Sequence, residues 1–227
     1  MTVQTPTTSP SSVAKFKNAA EWLHALGDVP PERIVMDPPP GTATEEELIA
    51  FVDGDNKRLV ELVNGTLVEK PVGWMEAVIA MRLARAMADF VEAGKLGIVV
   101  GADAMLRMKS KNVRLPDISF ISVQDLPGGD LPQADEAIMT LPPTLAVEVL
   151  SRRNTNREMR IKLDEYFNSG TRLAWLINPR SKSVAVYDRA SDEPAKTLHE
   201  SDTLDGGDVL PGFSVSIAAL LKPTLKS

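Results

Sequence analysis

The run Thr144-Leu145-Ala146-Val147-Glu148-Val149-Leu150-Ser151 constrains the fold of this 227-residue chain most. It is apolar on both of its alternating faces, the pattern of a strand in the middle of a sheet covered on both sides. Glu148 stands at its centre. An ionised carboxylate there is costly unless something positive compensates it, so a basic side chain or a metal ion is expected beside it. Upstream, Pro116-Asp117-Ile118-Ser119-Phe120-Ile121 repeats the arrangement, with an acid opening an otherwise apolar strand. Two carboxylates entering one core from two strands suit a divalent cation. The plainer alternative is that Asp117 caps a strand and Glu148 pairs with a buried arginine or lysine.

The residues available for chemistry are few. There is no cysteine, which excludes disulfides, thiolate zinc sites and a cysteine nucleophile. The two histidines, His24 and His199, are far apart and form no closely spaced metal-binding pair. Chemistry therefore falls to carboxylates, lysines and arginines. With 31 acidic against 25 basic residues the formal charge is -6, so contact with phosphates requires a local basic patch. Residues 1–12, rich in Thr, Ser and Pro, read as a disordered tail and carry no secretory pattern. No stretch approaches the roughly 20 apolar residues that span a bilayer, so a cytoplasmic protein without membrane contact is expected.

Three parts follow from the punctuation of the chain: the tail, a helical extension over 13–56, and a main domain over 57–227. In the extension, Phe16, Ala19, Ala20, Leu23 and Leu26 have helical spacing from Val13 to Leu26. A proline-rich strap over 28–43 leads to a second helix from Thr44 to about Val52, with Glu45 to Glu47 at its positive end. Asn64-Gly65 between Leu59–Val63 and Thr66–Lys70 predicts a two-residue hairpin turn. Glu61 lies on its first strand, where an acid is commonly a cross-strand charge partner on a solvated face. A long helix is expected over 74–93, with its methionine and aromatic positions in the core. Strands at 98–100 and 104–108 precede a basic loop carrying Arg107, Lys109, Lys111 and Arg114. The loop from Val123 to Pro143 is long enough to be functional and should hold a helical turn near 135–139.

After the strand of Glu148, Thr155-Asn156-Arg157-Glu158 is a capping box, so a helix starts there and runs to about Asn168, stopped by Gly170. Met159, Leu163, Tyr166 and Phe167 form its sheet-facing stripe. Lys162 falls about 60° from Met159, at the edge of that stripe. It can snorkel outward, or reach back toward Glu148. Across 152–162, Arg152, Arg153, Arg157, Arg160 and Lys162 stand against one acid, Glu158. Such a patch beside two carboxylates suits a phosphodiester held over a metal, and equally describes a solvated helix end. Strands at 173–177 and 183–187 follow, then a peripheral hairpin and a closing helix near 217–221.

From about Leu59 to Leu221 the chain resembles the Uma2 family, a restriction-endonuclease branch of the PD-(D/E)xK nuclease superfamily. The resemblance runs through ELVNGTLVE, RLPDISFI, LAVEVLS, the lysine of IKLDEYFNSG, and LAWLINPRSKSVAVY. It implies an α/β (α+β) restriction-endonuclease-like core, a central mixed β-sheet flanked by helices, with a site at one end of the sheet. Asp117 and Glu148 match the two family acids and would ligate Mg²⁺ or Mn²⁺ together with the Val149 carbonyl. The superfamily's lysine stands two residues after the second acid, where this chain has Leu150; Lys162, on the following helix, matches the displaced lysine of the branch. Glu61 matches a further acid on the first hairpin. Two features depart from the family: no histidine opens the helix at Trp74, and Ser151-Arg152 replaces Ser-Pro. The activity implied is metal-dependent endonucleolytic hydrolysis of DNA, and the alternative is a catalytically idle nuclease fold that binds nucleic acid or protein. Because cutting both strands is simplest with two sites on a two-fold axis, a homodimer is expected, through the hairpins near 59–70 or 183–198.

Overall fold

The computed structural model describes residues 16–54, 58–129 and 136–222. The expected tail and the first residues of the expected first helix lie outside them. Helix α1 (Ala19–Ala25) begins where Asn18 accepts the Glu21 N–H, later than the apolar spacing predicted, because that side chain caps the first turn. Helix α2 (Glu45–Asp53) starts at Thr44 with a reciprocal capping box to Glu47. Strands β1 (Val60–Val63) and β2 (Thr66–Glu69) turn at Asn64 and Gly65, whose φ values of 49° and 70° are those the two-residue turn demands.

Helix α3 (Trp74–Gly94) buries Ile79, Leu83, Met87 and Val91, a stripe at four-residue spacing. Each such side chain contributes roughly 1.5–3 kcal/mol on burial, so packing holds this helix far more than propensity does. The expectation that its methionine and aromatic positions are all core is corrected: Met81 is 71% and Trp74 75% exposed. Met81 lies two residues from Ile79, about 200° around the helix, which turns it away from the stripe.

Then come β3 (Gly97–Val100), β4 (Met105–Arg107), β5 (Val113–Arg114), β6 (Ile118–Ser122), β7 (Ile138–Met139) and β8 (Leu145–Val149). Of the turn expected at 135–139, residue 135 lies outside the described residues, and Ile138–Met139 form β7, a short strand parallel to β4, with Ile138 in the core beneath α2. Helix α4 (Asn156–Ser169) has the predicted capping box at Thr155. Strands β9 (Leu173–Asn178), β10 (Ser183–Tyr187) and β11 (Lys196–His199) follow, then the ribbon β12 (Thr203–Gly206) and β13 (Leu210–Ser216), and α5 (Ile217–Leu221).

The strands form a six-stranded sheet in the order β11-β10-β9-β8-β6-β3, a five-stranded sheet in the order β2-β1-β5-β4-β7, and the β12-β13 ribbon. The six-stranded sheet is the expected mixed sheet: β8 and β9 are parallel, joined through α4, and the other pairings are antiparallel. A second, five-stranded sheet was not foreseen. On β8 the alternation is strict. Leu145, Val147 and Val149 join Trp175, Ile177 and the α3 stripe in the main core, while Ala146 packs with Tyr166 of α4. Glu148 shares the α4 face of the strand with Ala146.

The segment before β1 is tied to α4. Arg33 is buried and donates to both Glu158 oxygens, at 3.0 and 2.6 Å, and to the Glu69 carbonyl at 2.7 Å. Gly27, at φ 91°, lies so close to α4 that a Cβ there would come within 2.6 Å of Glu158 Cα. Among the described residues no helix is long and apolar enough to cross a membrane.

Candidate active site between two sheets

Lys162 sits where the two sheets face each other. Its stem leaves the inner face of α4, and its ammonium lies 2.9 Å from Glu61 Oε1 of the five-stranded sheet and 3.0 Å from Glu148 Oε1 of the six-stranded sheet. The side chain is 2% exposed, so Lys162 does not snorkel. A buried ammonium requires anions, and one carboxylate from each sheet supplies them. Glu61 is likewise buried, at 2% exposure, and not on a solvated hairpin face. Tyr166, one turn along α4, donates to the same Glu148 Oε1 at 2.5 Å.

Glu61 has further partners. Arg114 Nη1 donates to its Oε2 at 3.0 Å and the Leu115 N–H to its Oε1 at 3.0 Å. Arg114 continues to Glu165 Oε2 at 2.5 Å, and the other Glu165 oxygen, Oε1, accepts from the Asn112 amide. The basic residue that the sequence placed in a loop is thus a buried structural cation.

Asp117 precedes β6. The β6–β8 pairing ends at Ile118 and Val147; one residue earlier the Asp117 N–H donates to the Val147 carbonyl at 2.9 Å, and the Asp117 charge lies close enough to Glu148 to raise its carboxyl. Its Oδ2 accepts the Val149 N–H at 2.6 Å, and its Oδ1 lies 2.8 Å from Lys70 Nζ. Asp117, Val149 and Lys70 line a cavity of about 180 Å³ walled on one side by α3. Lys70 was missed at the sequence level; it is a residue just past β2 with nothing local to mark it, and its contact with Leu115 spans 45 residues.

The electrostatics separate the two glutamates. Burial pushes Glu61 up, but the charges of Lys162, Arg114 and Lys70 outweigh it and hold its carboxyl at about 2. Burial raises Glu148, and Lys162 and Lys70 offset this incompletely because Asp117 and Glu61 repel its charge. For Lys162 burial works downward, yet Glu148 and Glu61 prevail and its ammonium is held above its ordinary value. Burial and the neighbouring Glu148 charge lift Tyr166 well above its ordinary value, so it remains a hydrogen donor.

Glu61, lowered, gives stability that is present above 4.5 and lost as pH falls toward about 2. Glu148, raised, acts in the opposite sense and softens that acid limb. We expect the urea midpoint of the wild type to drop across this window and that of Glu61→Gln to change less; parallel curves for the two proteins would contradict this assignment.

The expected basic patch contracts. Arg157 is tied to Asp28 and to the His24 carbonyl, and Arg160 to Asp192. Arg152 and Arg153 are exposed and enter no ion pair among the described residues.

Among the described residues no group of three or more His, Cys, Asp or Glu is arranged to hold a metal. The donor set is two carboxylates with adjacent backbone oxygen. Such a set fits Mg²⁺, which commonly takes one or two carboxylates and completes its shell with water and phosphate, and does not fit a closed zinc cage. Glu148 Oε1 takes both Lys162 and Tyr166. These bonds leave Glu148 Oε2 and the lysine-held Asp117 Oδ1 as the atoms to offer.

A crystal structure described as "a putative nuclease belonging to DUF820 from Anabaena variabilis ATCC 29413" has a similar fold, with TM-score 0.63 and 18% identity, covering 78% of this chain and 97% of that one. No curated protein matches the chain. The sequence model of the family Uma2, described as "Putative restriction endonuclease", matches residues 46–218. That span takes in the hairpin of Glu61, Lys70 just past it, Asp117 and Glu148, α4 and the six-stranded sheet, and the chain belongs to the Uma2 family.

Proposed function

We propose that the chain is a metal-dependent endonuclease that hydrolyses phosphodiester bonds in DNA, with Mg²⁺ or Mn²⁺ held by Asp117, Glu148 and the Val149 carbonyl. The observation that carries this reading is the proximity of Asp117, which precedes β6 at a cavity, to Glu148 on the neighbouring β8, each acid held by a lysine. Membership of a restriction-endonuclease family supports the reaction class.

In this reading Asp117 and Glu148 present hard oxygens, and the Val149 N–H bond to Asp117 Oδ2 fixes the carboxylate's rotation. Lys162 and Tyr166 both bind Glu148 Oε1, which leaves Oε2 to serve a cation. Two of the three Lys162 N–H groups are used, on Glu61 and Glu148, which leaves one to orient water or a phosphate oxygen. Glu61 keeps that ammonium in place from the other sheet. A bound divalent ion would supply charge to the phosphate and acidify the water. Arg152 and Arg153, exposed on the loop after Glu148, are placed to meet the backbone of a duplex.

A second reading, an idle nuclease fold that binds a partner, is favoured by one observation: Lys70 and Lys162 already compensate Asp117 and Glu148 without any metal. Plasmid DNA incubated with Mg²⁺ or Mn²⁺ separates the two. The wild type should nick or linearise it and Glu148→Gln should not, at a loss of at least about 100-fold. Cleavage retained by Glu148→Gln, or absent from both proteins, would favour the second reading. The proposal includes a two-fold dimer presenting two sites, with β11 as the exposed edge of the larger sheet. Light scattering on the same preparation should give twice 24.6 kDa, and a mass of 24.6 kDa would remove the dimer from the proposal.

A further inference from the structure

Two lysines serve the two acids, and they are placed differently. Lys162 lies between the sheets, its ammonium enclosed by Glu61 and Glu148. Lys70 follows β2 and carries its ammonium to Asp117 Oδ1 at 2.8 Å and to the Leu115 carbonyl. Only Lys70 of the pair lines the cavity of about 180 Å³, together with Asp117 and Val149. That space far exceeds the roughly 10–15 Å³ that one water needs, so it admits a phosphate group with its waters.

The Lys70–Asp117 pair cannot persist unchanged if Asp117 serves a metal. The lysine holds the oxygen that a cation would take. With a dication at Asp117 and Glu148, the Lys70 ammonium, on a side chain only 4% exposed, faces like charge where it had a counter-ion. A buried ammonium in that position needs another anion, and a phosphodiester entering the cavity brings one.

We propose that Lys70 is a substrate-positioning residue that yields Asp117 Oδ1 to a divalent cation and turns its ammonium into the cavity, where it holds a phosphodiester oxygen. This rests on the metal-dependent reading above. It gives Lys70 two states, one closing the acid pair in the metal-free protein and one facing substrate.

The test uses the full chain, Mn²⁺ titrated calorimetrically, and a short DNA duplex bound in the presence of Ca²⁺. Lys70→Gln should bind Mn²⁺ roughly tenfold more tightly than the wild type, because the competing cation is gone. The same variant should bind the duplex more weakly, with a salt dependence shallower by about one phosphate contact. A role confined to the fold would not tighten metal binding. Unchanged or weaker Mn²⁺ affinity in a folded Lys70→Gln overturns the proposal, and so does tighter Mn²⁺ binding with an unaltered duplex salt slope. Absence of Mn²⁺ binding in both proteins overturns the metal reading itself, and the proposal with it. Should Lys70→Gln fail to melt cooperatively, Asp117→Asn decides. In metal-free buffer it releases Lys70 and should steepen the duplex salt slope by about one contact, and an unchanged slope is evidence against the release.

Discussion

Replacing Lys162 by methionine should cost about 3–5 kcal/mol of stability, because it leaves two carboxylates facing each other between the sheets with no cation between them. For a chain of this size that corresponds to a fall in melting temperature of roughly 6–20 °C. Methionine keeps most of the volume, so the loss reports charge and not a cavity. The effect must be shared with the acids. Glu148→Gln in the Lys162→Met background should recover part of the loss, since neutralising one acid removes the repulsion the first substitution created. Lys162→Ala adds a packing defect to the same imbalance and should be worse. A fall of less than about 2 °C for Lys162→Met would show that the ammonium does not hold the two sheets' acids, and would return Lys162 to the solvated edge of α4.

This prediction marks where the sequence was legible and where it was not. Periodicity located α3, α4 and the strands of Asp117 and Glu148, and the local rules for Asn64-Gly65 and for the Thr155 capping box placed a turn and a helix start correctly. Such features depend on neighbours within about four residues, and a sequence states them directly. The burial of Lys162 was ambiguous for a physical reason. Its angle on α4 puts it at the edge of a stripe, and only a second sheet carrying Glu61 converts that edge into an interior. The second sheet itself was hidden because β4, β5 and β7 are three, two and two residues long, too short for alternation to show. Arg114 reads as one of four basic residues in a loop, yet it is the buried partner of Glu61 and Glu165. Lys70 had no local signal at all.

The pairing of Glu148 with a lysine was expected under both readings of the strand, as metal ligand and as structural ion pair, and does not distinguish them. What favours the metal reading is Asp117, which lies close enough to Glu148 to raise its carboxyl, borders the cavity, and has one oxygen held by a backbone N–H and the other by the Lys70 ammonium. A purely structural pair would gain nothing from added metal.

If Asp117 and Glu148 form one cation site, the melting temperature with and without Mn²⁺ reports it most directly. A ligand that binds only the folded state stabilises it by RT ln(1 + [L]/Kd), about 2.7 kcal/mol at a hundredfold excess over Kd, which is roughly 5–11 °C here. Asp117→Asn keeps the shape of the side chain and removes its charge, and it should abolish that shift while the Lys162 pair between the sheets stays intact. We predict a Mn²⁺-dependent rise in the wild type and none in Asp117→Asn. An equal rise in both proteins, or none in the wild type, would contradict the account.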